Sequence, residues 1–81
     1  MKARVTIYLK DGILDVQGQT IQQALVGLGF TGVKHVRAGK SFDIELGPIP
    51  ADEAKRQLSQ MCDRLLANPT IEQYQIELKA D

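Results

Sequence analysis

Gly29-Phe30-Thr31-Gly32-Val33-Lys34-His35-Val36-Arg37-Ala38-Gly39-Lys40-Ser41-Phe42-Asp43-Ile44-Glu45-Leu46 decides how this 81-residue chain is read. Phe42, Ile44 and Leu46 alternate with Ser41, Asp43 and Glu45. A period of two puts one strand face on a core and the other in water. The stretch predicts two short strands, Val33 to Ala38 and Ser41 to Leu46, joined by a tight turn at Arg37-Ala38-Gly39-Lys40. Gly39 would supply a positive φ, and Arg37 and Lys40 would stand at an exposed tip.

Upstream, residues 2–10 also alternate, with Ala3, Val5, Ile7 and Leu9 on one face, which predicts a half-buried strand. Asp11-Gly12 breaks it with turn chemistry. Ile21, Leu25 and Leu28 recur at helical spacing. Asp15 is the candidate N-cap, because its carboxylate can accept a bond from the free amides of a first helical turn; Thr20 is a rival start. Gly29 is the expected left-handed residue after the helix, with Phe30 as its apolar follower.

Downstream, Gly47-Pro48-Ile49-Pro50 stops the sheet, and Pro50 suits a helix entrance. Asp52 and Glu53 favour the positive end of that second helix. Ala54, Leu58, Met61 and Leu65 give its apolar stripe, and Asn68-Pro69 is expected to end it, Asn68 in the left-handed conformation. Ile71 to Leu78 alternates again as a last strand. The order β-α-β-β-α-β predicts an α+β fold over a single domain, residues 1–81. Its form is the ferredoxin-like split βαβ sandwich, a four-stranded antiparallel sheet with two helices on one face.

Ten Lys and Arg balance ten Asp and Glu. Zero net charge and few aromatic residues argue against a nucleic-acid partner or an anionic membrane surface. A lone cysteine, Cys62, and no long apolar run point to a soluble chain in a reducing, cytoplasmic setting. A small domain of marginal stability is a natural homodimer or tetramer.

No catalytic constellation stands out. His35 and Cys62 are too few for a zinc site, and Cys62 reads as a small buried apolar residue. Gly27-Leu28-Gly29-Phe30-Thr31-Gly32 has the letters of a dinucleotide fingerprint but follows a helix and precedes a strand, the reverse of what phosphate binding needs. Asp43 and Glu45 read as the wet face of a strand. The basic turn therefore has two readings: a soluble hairpin tip, or a docking loop in which Arg37, Gly39 and Lys40 meet acidic groups of a partner.

Three stretches, taken together, resemble a known family. They are Leu9-Lys10-Asp11-Gly12-Ile13-Leu14-Asp15-Val16-Gln17-Gly18 with Leu28-Gly29-Phe30 after it, Val33-Lys34-His35-Val36-Arg37-Ala38-Gly39-Lys40, and Cys62-Asp63-Arg64-Leu65-Leu66-Ala67-Asn68-Pro69-Thr70-Ile71-Glu72-Gln73-Tyr74. In order and spacing they are similar to the PurS family, small subunits of phosphoribosylformylglycinamidine synthase. Val16 departs from the family's usual proline. The resemblance implies a non-catalytic subunit of purine biosynthesis that bridges a PurQ-type glutaminase and a PurL-type synthetase and assists ammonia transfer between them. It implies no cofactor on this chain, with ATP and magnesium on the large synthetase. Gly12, Asp15, Gly18, Gly29, Asn68 and Pro69 would then be structural positions, and Arg37, Gly39 and Lys40 partner contacts. The competing reading is a dimeric regulatory domain on the same fold, holding a small ligand in a polar pocket near Gly12 and Gly29.

Overall fold

A computed structural model describes residues 1–79. The elements are strand β1 (Lys2–Leu9), helix α1 (Val16–Gly27), strand β2 (Gly39–Glu45), helix α2 (Ala51–Met61), a π-helical turn (Cys62–Leu66) and strand β3 (Glu72–Lys79). β1 is central, with β2 and β3 antiparallel on either side. The order is thus β-α-β-α-β, and the sheet has three strands.

The expected four-stranded sheet is wrong on this point. Val33 to Ala38 forms no strand. β2 begins at Gly39, which pairs with Tyr8, and Lys40 pairs with Ile7. The second half of the expected turn, Gly39-Lys40, is thus already in the ladder, so no hairpin can fold back on β2. The preceding segment is tied elsewhere. The Ala38 amide donates to the Asp15 carboxylate at 2.9 Å, and the Val33 carbonyl accepts from Gln22 Nε2 at 3.1 Å.

Nor do two helices cover one face. Ala3, Val5 and Ile7 of β1 pack against Leu58 and Cys62, and Ala54 on α2 is also buried. Phe42, Ile44, Leu46, Tyr74, Ile76 and Leu78 are half-buried around this core. Helix α1 buries only Gly18. It projects from the sheet, and the chain measures 48 × 29 × 14 Å with a radius of gyration of 15.9 Å. A compact domain of this length would have a radius of about 12 Å.

Helix boundaries follow local chemistry. Asp15 caps α1 by accepting from the Gly18 amide at 2.9 Å. At the other end Gly29 has φ +103°, its amide donates to Val26 O and that of Phe30 to Leu25 O, both at 3.0 Å. This pair of bonds is the Schellman ending, which satisfies two of the carbonyls a helix leaves free. Pro50 is the N-cap of α2, in extended conformation, and the carboxylates of Asp52 and Glu53 sit in the first turn.

The end of α2 differs from expectation. The π-helical turn inserts extra backbone into the last turn, so Cys62 and Ala67 are buried while Leu65 is 83% exposed. Asn68 is not left-handed, since no residue other than glycine has positive φ among the described residues. Ala67 leaves the helix in extended conformation. Asn68 instead builds the turn into β3: its Oδ1 accepts from Thr70 N at 3.1 Å, and its carbonyl from Glu72 N at 2.7 Å. The Pro69 carbonyl accepts from Lys10 Nζ at 2.6 Å, tying this turn to the end of β1.

Candidate docking site at the start of the second strand

Arg37, Gly39 and Lys40 share the rim of one shallow depression of about 310 Å3, completed by Thr6, Tyr8, Ala38 and Ser41. They do not sit at a free tip. The Arg37 guanidinium lies 3.7 Å from the centroid of the Tyr8 ring, donates to Leu9 O at 3.3 Å and stands 3.8 Å from Asp11 Oδ1. Lys40 Nζ is 3.9 Å from Glu72 Oε2. Both side chains keep about half of their surface in water. A guanidinium stacked on an aromatic face is held in one orientation, which lowers the entropy lost when its remaining donors meet an acceptor.

Gly39 is needed for closeness and not for a positive φ, which only Gly12 (+88°) and Gly29 (+103°) have among the described residues. A Cβ on Gly39 would lie 2.8 Å from Ile7 O on the neighbouring strand. Gly18 has the same kind of role. Its Cβ would fall on the Val36 carbonyl oxygen and the Asp15 carboxylate. Asp15 therefore joins two places at once: one oxygen holds the start of α1, the other holds the residue before β2. These bonds, first that from Ala38 and then that from Gly18, keep its carboxyl below the usual range, with His35 and Arg37 adding to the effect.

Sequence reasoning did not anticipate Glu72 and Asp11 as partners of the two cations. Tyr8 alternates with the apolar residues Ile7 and Leu9 and so stands on the wet face of β1, and that place is the signal that could have paired it with a cation. His35 is exposed. Cys62 is fully buried, and burial, with Asp63 nearby, pushes its thiol pKa up, the opposite of an activated nucleophile. Among the described residues no group of three or more His, Cys, Asp or Glu could hold a metal ion, and no helix is long and apolar enough to cross a membrane. The depression at Gly39 has neither Gly12 nor Gly29 in its lining, and the space where a side chain would stand on either glycine is open.

The family model described as "PurS: Phosphoribosylformylglycinamidine (FGAM) synthase" matches residues 2–80. The chain belongs to the PurS family. The phosphoribosylformylglycinamidine synthase subunit PurS of Methanocaldococcus jannaschii is 44% identical over 78 residues, 96% of this chain and 94% of that protein. The PurS of Archaeoglobus fulgidus is 43% identical over 76 residues, 94% of this chain and 95% of that one. Among solved structures, M. jannaschii PurS, described as one of the subunits of formylglycinamide ribonucleotide amidotransferase in the purine biosynthetic pathway, superposes with a TM-score of 0.90, covering 99% of this chain and 98% of its own. A chain of the structure of PurLQS from Thermotoga maritima superposes with a TM-score of 0.86 at 28% identity, covering 94% of this chain and 93% of that chain. The departures from the four-stranded expectation therefore lie in a PurS chain aligned along nearly its whole length.

Proposed function

We propose that this chain is the small, non-catalytic subunit of a phosphoribosylformylglycinamidine synthase, joining a PurQ-type glutaminase to a PurL-type synthetase. The near-complete alignment with a chain of the T. maritima PurLQS structure carries this reading. The glutaminase releases ammonia; the synthetase, with ATP and magnesium, uses it to convert formylglycinamide ribonucleotide to formylglycinamidine ribonucleotide. The small subunit contributes contact surface and assists the passage of ammonia. The physical need is simple. Near neutral pH ammonia in water is mostly ammonium, which is a poor nucleophile, and a closed protein path keeps the neutral amine close to its acceptor.

Arg37 and Lys40, around Gly39, are the residues proposed to meet acidic groups of one of the two large subunits. Both have internal partners, so truncation is the cleaner test than charge reversal. R37A together with K40A is expected to weaken assembly in sedimentation while leaving the circular-dichroism spectrum intact. Unaltered assembly removes this contact from the reading.

The function itself is tested by reconstitution. Synthetase and glutaminase are combined with and without the chain, and product is followed with glutamine or with ammonium salt as nitrogen donor. Glutamine-dependent synthesis should require the chain, and ammonia-dependent synthesis should not. Indifference of both reactions to the chain overturns the proposal.

A further inference from the structure

The core around Ala3, Val5, Ile7, Leu58, Cys62 and Ala67, with its half-buried surround, takes no residue from positions 11–38. The sheet closes without them. Tyr8 pairs with Gly39 across the ladder, and Lys10 is tied to Ile71 O by its amide and to Pro69 O by its ammonium. Residues 11–38 are thus an arm inserted between two positions that the sheet already holds together. A cleft of about 320 Å3 opens at its foot, lined by Leu14, Val16 and Gln17 of the arm and by Ile7, Leu9 and Glu72 of the sheet.

The arm holds itself together instead. Helix α1 has 12 residues, Gly18 and Gly27 among them, with no acidic side chain in its first turn and no basic one in its last. Isolated helices shorter than about 12–15 residues are marginal in water even with better sequences. α1 makes no extended contact with a strand or with α2. Its partner is the return segment 33–38, which is itself in no strand. Gln22 Nε2 donates to Val33 O at 3.1 Å, Gly18 lies against the Val36 carbonyl, and Asp15 accepts from the Ala38 amide. Each half of the arm is ordered by the other, and Asp15 joins them at the foot. Arg37, stacked on Tyr8 and bonded to Leu9 O, ties the arm to the sheet.

We infer that residues 11–38 open and close as one unit on an intact sheet, and that the bonds of Asp15 latch the closed form. A segment with few buried apolar contacts opens at a lower free energy than the core it is attached to. Arg37 and Ala38 line the depression at Gly39, so its rim is complete only while the arm is closed. A group that binds this rim therefore also holds α1, because it has affinity for one of the two states only. The inference goes beyond the proposed function and is tested on the chain alone.

Hydrogen exchange of the full chain, at one protein concentration and over a series of low denaturant concentrations, is the test. The amides of residues 20–27 and that of Ala38 should share one opening, about tenfold or more faster than that of the β1 amides and with a smaller denaturant dependence. L58A should speed the β1 amides about thirtyfold or more, as loss of a core side chain does, and leave residues 20–27 unchanged. D15A should speed residues 20–27 about fivefold or more. D15S, which can cap α1 but is too short to hold Gly18 and Ala38 together, should stay nearly as fast as D15A. One common rate and denaturant dependence for α1 and β1 overturns the separate unit, as does an equal response of both to L58A or an Ala38 amide out of step with α1. Full recovery of slow exchange in D15S overturns the latch and leaves Asp15 a plain helix cap. The unaltered protein decides the separate unit even if a variant misfolds.

Discussion

Asp15 is the residue on which most of the local architecture turns. Its two oxygens accept from amides that lie 20 residues apart in the chain, at Gly18 and Ala38. Its carboxyl titrates lower in the folded protein than in the unfolded chain, so it binds its proton less readily when folded. Its contribution to stability is therefore present above the ordinary carboxylate range and is lost as pH falls through the folded value. Glu53 behaves in the same sense: hydrogen bonds first from Arg56 and then from Gln57 lower it from 4.5 to about 2. The melting temperature should fall as pH drops between these two values, and D15N should melt lower at pH 7 and show a shallower acid dependence. A calorimetric pH series checks both. Gly18 offers a test of opposite signs. Helix propensity alone makes Gly18→Ala stabilising by up to about 1 kcal/mol. The closeness of the Val36 carbonyl and the Asp15 carboxylate makes it destabilising, by about 1–3 kcal/mol, as overpacking generally is. Urea unfolding decides between them.

At the scale of elements, β1, α1, α2 and β3 are legible because each has a period and chemical punctuation. The alternation of Ala3, Val5 and Ile7, the Asp15 cap, the Gly29 stop and Pro50 with its two acids are all local signals. Val33 to Ala38 carries two β-branched residues, but Val33 is out of phase with Val36 and Ala38; strand formation also needs a neighbour, and the neighbour is not set by local sequence. The depression around Gly39 was only half legible for the same reason. Arg37 and Lys40 stood out by charge, whereas Tyr8, Asp11 and Glu72 come to them through pairing across the fold. The π-helical turn was invisible because Met61 and Leu65 keep perfect helical spacing with Leu58. It has a measurable consequence. Leu58→Ala should cost about 2–5 kcal/mol, as in other cores. Leu65→Ala, which α-helical spacing makes just as costly, should change the stability of the isolated chain by less than about 0.5 kcal/mol. Parallel denaturant titrations of the two variants separate the alternatives.

For the molecule as a whole, the central strand is also the first one in the chain. β1 pairs with β2 across some 40 residues and with β3 across some 70, as in Ala3 with Ile44 and Ala3 with Leu78. Every ladder in the sheet is therefore non-local, and loop closure must precede each reward, a feature of slow folding. On the ribosome, the strand that will become the middle of the sheet emerges with neither flank available. Its second flank, β3, emerges only some 70 residues after it. The apolar row Ala3, Val5 and Ile7 thus stays uncovered on that side while those residues are made. The helices can form early, but the sheet that organises the core must wait for β3.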